Sequence, residues 1–223
     1  MRVCVIIPAY NESSTIAGIV KDIRSRNLDC LVVDDGSIDS SAHLARDSGA
    51  TVLRNTSNMG KGASLIRGFD FALKNNYDAV ITMDGDGQHR VDEIPKFINK
   101  CDSDNCHIVV GNRMSNVCKM PCIRVLTNRF MSWLISRVAK QKIEDTQCGF
   151  RLLKKDVLEK IKLETNKFEI ESEILIKGAK QGFKIGSIAI ESVYVSESSH
   201  INPIKDTFRF IKFILKYIGD VPT

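Results

Sequence analysis

No stretch of this 223-residue chain reaches the roughly 18 uninterrupted apolar residues that a membrane-spanning helix needs, so no transmembrane segment is expected. Proline is scarce and scattered, at five residues, and there is no Pro/Gly/Ser-rich tract, low-complexity segment or internal repeat. That excludes an obvious linker and leaves a single domain over 1–223, a length at which α/β folds commonly stay undivided. The formal net charge of +5 is spread without a long basic run, which makes nucleic acid a poor partner. The N-terminal MRVCVIIPAYNES is too short and too polar for a signal peptide, which leads to the expectation of a cytosolic chain, at most attached to a membrane surface. Seven cysteines, an odd number without a secretory leader, favour free buried thiols over a disulfide framework. Cys101, Cys106, Cys118 and Cys122 lack the spacing of a structural zinc site. Nothing in the sequence assigns an oligomeric state.

What is present is a set of short apolar runs that end in carboxylates. YDAVIT leads into MDGDGQH, so that Asp84 and Asp86 stand one residue apart at a strand end, with Gly85 and Gly87 allowing close backbone approach. VCVIIPAYNES leads to Pro8, Ala9, Tyr10 and Glu12, and CLVVDDGSIDS to Asp34 and Asp35. In an open α/β sheet, ligands collect in the crevice beyond the carboxyl ends of the strands. Hard oxygen ligands there suit Mg²⁺ or Mn²⁺, which keep waters and take further oxygens from a substrate phosphate. Carboxylates at the other two strand ends can accept hydrogen bonds from a ribose or a base, and Tyr10 can stack on the base. The competing reading is ordinary solvated turn chemistry. An EF-hand loop is rejected, because His89 and Pro95 stand where its Gly and bidentate Glu belong. A phosphate loop is rejected for NMGKGAS, because Asn55 and Gly62 replace its first glycine and its metal-binding hydroxyl.

Apolar periodicity predicts strands near 2–7, 29–34, 51–54, 78–83 and 107–111, with helices near 13–26, 38–48, 61–75 and 91–100. Strand alternating with helix implies a mostly parallel sheet covered on both faces. Beyond residue 111 the rhythm changes to helical patterns at 123–139 and 169–181 and a strand at 184–195.

The segments IIPAYNE, VVDDGSID, NMGKGASLIRG, MDGDGQH, GNRM and DTQCGFRLLKK, in this order, resemble the family 2 glycosyltransferases of GT-A fold, nearest the dolichyl-phosphate mannosyltransferase and glucosyltransferase branch. The resemblance covers nearly the whole chain. It implies transfer of a hexose, with inversion, from a nucleotide sugar (GDP-mannose or a UDP-sugar) to a polyprenyl or dolichyl phosphate, with Mg²⁺ or Mn²⁺ as cofactor. It places Pro8, Ala9, Tyr10, Glu12, Asp35, Lys61, Asp84 and Gly85 at the nucleotide sugar, with Asp84, Asp86 and Gln88 around the metal. It puts Arg113, Arg124 and Asn128 at the acceptor phosphate, and Asp86, Arg113 and Asp145 at the chemistry. An alcohol acceptor would need a general base, whereas a phosphate is already an anion and needs only orientation by groups such as arginine forks. Asp145 therefore stands as either base or orienter. At the spacing where the mannosyltransferases carry an Arg and a Lys that help bind the diphosphate, this chain has Tyr194 and His200, so the donor stays open.

Two helices are expected to rest at a membrane interface on the cytoplasmic face. One lies near 123–139, with Phe130, Met131, Trp133 and Leu134; the other lies near 203–218, where Phe208, Ile211, Phe213 and Ile214 flank Arg209, Lys212 and Lys216. The alternative for each is packing on the domain's own core. Two rival functions remain: a soluble glycosyltransferase with a sugar or protein hydroxyl acceptor, and a nucleotide-sugar-binding module without catalysis.

Overall fold

In the computed structural model, residues 1–117 and 120–191 are described, together with Phe210, Phe213, Ile214 and Tyr217. Seven strands form one sheet in the order β3-β2-β1-β4-β6-β5-β7. The first half alternates strictly: β1 (Val3–Ala9), α1 (Ile16–Ser25), β2 (Asp29–Asp34), α2 (Ser41–Asp47), β3 (Thr51–Arg54), α3 (Lys61–Lys74) and β4 (Ala79–Thr82). Val, Ile and Leu dominate these strands, and β1 from Val3 to Ile7 is continuously buried. Burial without alternation means that helices cover both faces of the sheet. The helices bury one stripe each; in α1 it is Ile16, Ile19, Val20 and Ile23, the three-and-four spacing of an amphipathic helix.

β1 pairs in parallel with β2 on one side and β4 on the other, and β2 pairs with β3. The chain thus moves outward from β1 to β3, then returns to β4 across β1. The strand order reverses between β1 and β4, which creates the crevice at their carboxyl ends.

The second half contains α4 (Ile94–Ser103), β5 (Ile108–Asn112), α5 (Cys122–Ala139), β6 (Arg151–Lys154), α6 (Lys155–Lys160), α7 (Ile170–Lys180) and β7 (Ile185–Ala189). Periodicity did not anticipate β6 or α6. β6 runs antiparallel between β4 and β5, with Thr82 opposite Arg151 and Val110 opposite Arg151. Its reversed direction carries the loop before it, residues 145–150, to the carboxyl ends of β4 and β5. A charged residue at the strand start and a length of four hid the element. The strand expected at 184–195 ends at Ala189, and its last residues lie outside those described.

Two helical expectations separate. α5 has its polar residues Asn128 and Ser132 buried, while Ile123, Leu126, Phe130 and Trp133 are 72, 67, 57 and 54% exposed. In the C-terminal stretch, Phe210, Phe213, Ile214 and Tyr217 are all buried and belong to the main core. The expectation that Phe213 and Ile214 face a membrane is therefore corrected. Residues at three-and-four spacing make one helix face, and here that face packs on protein, with Lys180 of α7 over the Tyr217 ring at 5.1 Å. Phe208 and Ile211 lie outside the described residues.

Candidate active site

The crevice is braced before any ligand enters it. The Asp35 amide donates to the Ala9 carbonyl at 2.8 Å, which ties the ends of β1 and β2. The Glu12 amide donates to Ser41 Oγ at 2.7 Å, and Thr15 Oγ1 to the Gly85 carbonyl at 2.5 Å, which ties β1 to the turn after β4. Pro8, Tyr10 and Glu12 are half-buried along this rim, and Ala9 is buried. The Glu12 side chain packs on Gly85, where an added Cβ would lie 3.1 Å from its Cγ.

Asp35 is committed to its own loop. Its carboxylate accepts from Asn55 Nδ2 at 2.7 Å, from the Met59 amide at 2.9 Å and from the Gly60 amide at 2.7 Å. These bonds shape residues 55–60 around a cavity of about 550 Å³ lined by Gly36, Ser37, Ile38, Arg54, Asn55 and Thr56, at the ends of β2 and β3.

Lys61, the first residue of α3, places its ammonium 2.5 Å from Asp84 Oδ1 and 2.6 Å from Glu171 Oε1. The second oxygen of Asp84 meets His89 Nε2 at 3.3 Å. Burial opposes the Asp84 charge, but Lys61 and His89 outweigh it and hold the carboxyl well below the usual range. Burial likewise opposes the Lys61 charge, and the two carboxylates outweigh it and hold the ammonium above the usual lysine range. Gly62 lets the chain at 165–167 lie directly over the start of α3; a Cβ there would fall 2.5 Å from the Thr165 carbonyl oxygen. Gly149 does the same for Asp84, since a Cβ would sit 2.6 Å from Asp84 Oδ2.

Asp86 differs from its neighbour. Its Oδ1 accepts the Gln88 amide at 2.9 Å, and burial together with the Asp84 charge pushes its carboxyl upward from the usual range. A half-buried carboxylate whose charge is penalised is a good partner for a cation. No group of three His, Cys, Asp or Glu residues converges among the described residues. Asp86 and Gln88, the expected ligands, would offer one carboxylate and one amide oxygen, a set that would suit a Mg²⁺ or Mn²⁺ ion drawing most of its oxygens from water and a bound diphosphate. Asp84, with both oxygens engaged by Lys61 and His89, is less free to join them.

On the β5 side the Arg113 guanidinium and the fully buried Asp145 carboxylate form a fork: Nε to Oδ2 at 2.8 Å and Nη2 to Oδ1 at 3.0 Å. Asp145 also accepts the Arg113 amide at 3.1 Å and the Gln147 amide at 3.2 Å. Four donors thus fill the carboxylate. Burial pushes the neighbouring Cys148 thiol up to about 12, so no thiolate competes for Arg113. On α5, Arg124, Asn128 and Ser132 follow one another at four-residue spacing and share a face. Ser132 Oγ lies 3.2 Å from Thr146 Oγ1, next to Asp145, so this face runs from the fork out to the exposed Arg124. Asn128 is buried, and its Nδ2 has no hydrogen-bond partner among the described residues.

The structure thus brings Lys61, Asp84, Gly85, Asp86 and Gln88 together at one end of the crevice and joins Arg113 to Asp145 at the other, with Asn128 one turn along α5 from Ser132. Tyr194 and His200 lie outside the described residues. Sequence reasoning missed Glu171 and Arg151. Arg151 is wholly buried, and its Nε donates to the Cys148 carbonyl at 2.7 Å, its Nη2 to the Thr146 carbonyl at 2.8 Å and its Nη1 to the Glu171 carbonyl. The available signals were an arginine inside the apolar run CGFRLL and acidic residues on a helix, FEIESEIL, that is otherwise apolar.

The model of the family described as Glycosyl transferase family 2 matches residues 4–162. A UDP-N-acetylglucosamine–dolichyl-phosphate N-acetylglucosaminyltransferase of Methanococcus voltae is 29% identical over 216 residues, covering 86% of each chain. A dolichol-phosphate mannosyltransferase of Pyrococcus furiosus is 33% identical over 192 residues, 80% of this chain and 53% of that protein. Among solved structures, glucosyl-3-phosphoglycerate synthase from Mycobacterium tuberculosis, in complex with Mn²⁺, UDP and glucosyl-3-phosphoglycerate, superposes with a TM-score of 0.74 at 18% identity, over 99% of this chain and 81% of that one.

Proposed function

Because the chain belongs to glycosyl transferase family 2, we propose that it moves a hexose from a nucleotide sugar to a polyprenyl phosphate such as dolichyl phosphate, with inversion at the anomeric carbon and with Mg²⁺ or Mn²⁺. The observation that carries this reading is the filled carboxylate of Asp145. A general base must have a lone pair within reach of the proton it takes. The four donors on Asp145 and its complete burial suit an orienter of Arg113 instead. An acceptor that needs no base is one already anionic, and a phosphate monoester is such an acceptor.

The chemistry breaks the bond between the anomeric carbon and the donor diphosphate and forms one to an acceptor phosphate oxygen from the opposite face. When bound, a divalent ion supplies charge to the leaving nucleoside diphosphate without proton transfer. Asp86 and Gln88 would hold it. The cavity beside Gly36, Ser37 and Thr56 is large enough for the flat ring of a nucleobase, and the rim of Pro8 to Glu12 lies between that cavity and the DGD turn. Arg113, its plane fixed by Asp145, presents the guanidinium edge not taken by the carboxylate to the acceptor phosphate, and Asn128 adds its unpaired amide nitrogen. The exposed Ile123, Leu126, Phe130 and Trp133 on the outer side of the same helix would enter a lipid interface, bringing the acceptor chain to the crevice. No helix among the described residues is long and apolar enough to cross a membrane. The relatives' substrates support the reading.

The test is a panel of UDP- and GDP-sugars offered with dolichyl phosphate and Mn²⁺, against dolichol and free sugars as hydroxyl acceptors. Lipid-linked product from the phosphate alone is expected. Turnover on the hydroxyl acceptors in preference would refute it.

A further inference from the structure

Lys61 stands at the N-terminus of α3, where the helix dipole disfavours a cation, so its position depends on the two carboxylates that hold it. One of them, Glu171, belongs to the first turn of α7 and is buried. Its backbone carbonyl receives Arg151, and its other carboxylate oxygen, Oε2, lies 4.0 Å from Arg151 Nη2, while Oε1 is given to Lys61. Arg113 is already matched by Asp145. Glu171 is thus the second acceptor of a lysine whose first acceptor belongs to the DGD turn. Losing Glu171 would leave one more unit of net positive charge at Lys61, whose charge already acts on Asp86, and losing Lys61 would do the opposite.

We propose that Glu171 is a positioning residue of the donor site: by sharing the Lys61 ammonium with Asp84 it sets the net charge that Asp86 and Gln88 offer to the divalent cation accompanying the nucleoside diphosphate. Lys61 then acts as a resident cation that occupies Asp84 and leaves Asp86 to the metal. The inference rests on the metal-dependent donor reading above.

The sign of the effect separates this role from a structural one. Mn²⁺ is titrated into the protein with saturating UDP or GDP, and free Mn²⁺ is followed by electron paramagnetic resonance for wild type, Glu171→Gln, Lys61→Met and the double variant. Glu171→Gln should weaken Mn²⁺ binding on the order of tenfold, and Lys61→Met should tighten it by a similar factor, as a unit charge moves in a half-buried site. The double variant, with the local charge balance restored, should return to within about threefold of wild type. Damage to the fold cannot produce a rescue. Single variants that shift affinity in the same direction, or a double variant as weak as Glu171→Gln, would overturn the role of Glu171. A wild type that binds no Mn²⁺ with either nucleotide would overturn the donor reading and this inference with it.

Discussion

On the β1, β2 and β4 side of the crevice, carboxylates are held by surrounding donors: Asp35 by the amides of Met59 and Gly60, and Asp84 by Lys61 and His89. On the β5 and β6 side the relation is reversed, and a carboxylate, Asp145, holds the cation Arg113. The first arrangement leaves Asp86 as the negative group short of a partner; the second leaves one edge of the buried Arg113 guanidinium outside the fork, with Arg124 exposed on α5. In the proposed reading, such a crevice would take a cation at one end and an anion at the other. The two sides also differ in how they are supported. Parallel strands and short turns fix the first, while an antiparallel strand inserted between β4 and β5 and its buried arginine fix the second.

The largest effect that sharpens this contrast should come from Arg151→Met. It strips the donors from three buried carbonyls, at about 1 to 3 kcal/mol each, and should lower stability by roughly 3 to 5 kcal/mol in denaturant unfolding. Loss of stability below 1 kcal/mol would mean that the loop at 145–150 stands without it.

Asp86→Asn should lower turnover on the order of 10² or more, because the leaving group loses its charge stabilisation. The same change should raise the melting temperature of the metal-free protein. Burial and the Asp84 charge raise the folded pKa of Asp86, so its ionisation costs stability as pH rises through that pKa and the cost is relieved as pH falls. The stabilisation by Asn should therefore be present at pH 7 and fade toward acidic pH. A melting temperature that drops at neutral pH would show that Asp86 is satisfied without a cation.

The first half of this contrast was legible in the sequence. Continuous Val/Ile runs, helices at three-and-four spacing and Asp-Gly turns are local signals, and β1 to β4 follow them to within a few residues. The second half was not. β6 is four residues long and starts at Arg151, and α5 buries Asn128 and Ser132 while exposing Trp133, the reverse of the usual pattern. The partners of Lys61 and Asp145 lie 110 and 32 residues away in sequence, and only tertiary structure brings them together. The C-terminal helix shows the converse difficulty: Phe213 and Ile214 suit an interface or a core equally, and packing decided for the core.

Phe130→Glu with Trp133→Glu should abolish co-sedimentation with anionic liposomes and leave the melting temperature within a few degrees, because both side chains are more than half exposed. Unfolding of this variant, or unchanged liposome binding, would remove α5 from the interface. Arg124→Ala should have the smallest effect, about 1 kcal/mol in acceptor affinity, since an exposed arginine is screened by solvent. Nucleotide affinity should not change; an equal drop there would move Arg124 to the donor side.

The role of Asp145 bears most directly on the account. With polyprenyl phosphate at saturation, Asp145→Asn should keep kcat within about tenfold of wild type while raising the acceptor KM, because a misaligned Arg113 weakens binding of an anion that needs no deprotonation. A fall in kcat of about 10³ or more at unchanged KM would make Asp145 a general base and would contradict the phosphate acceptor.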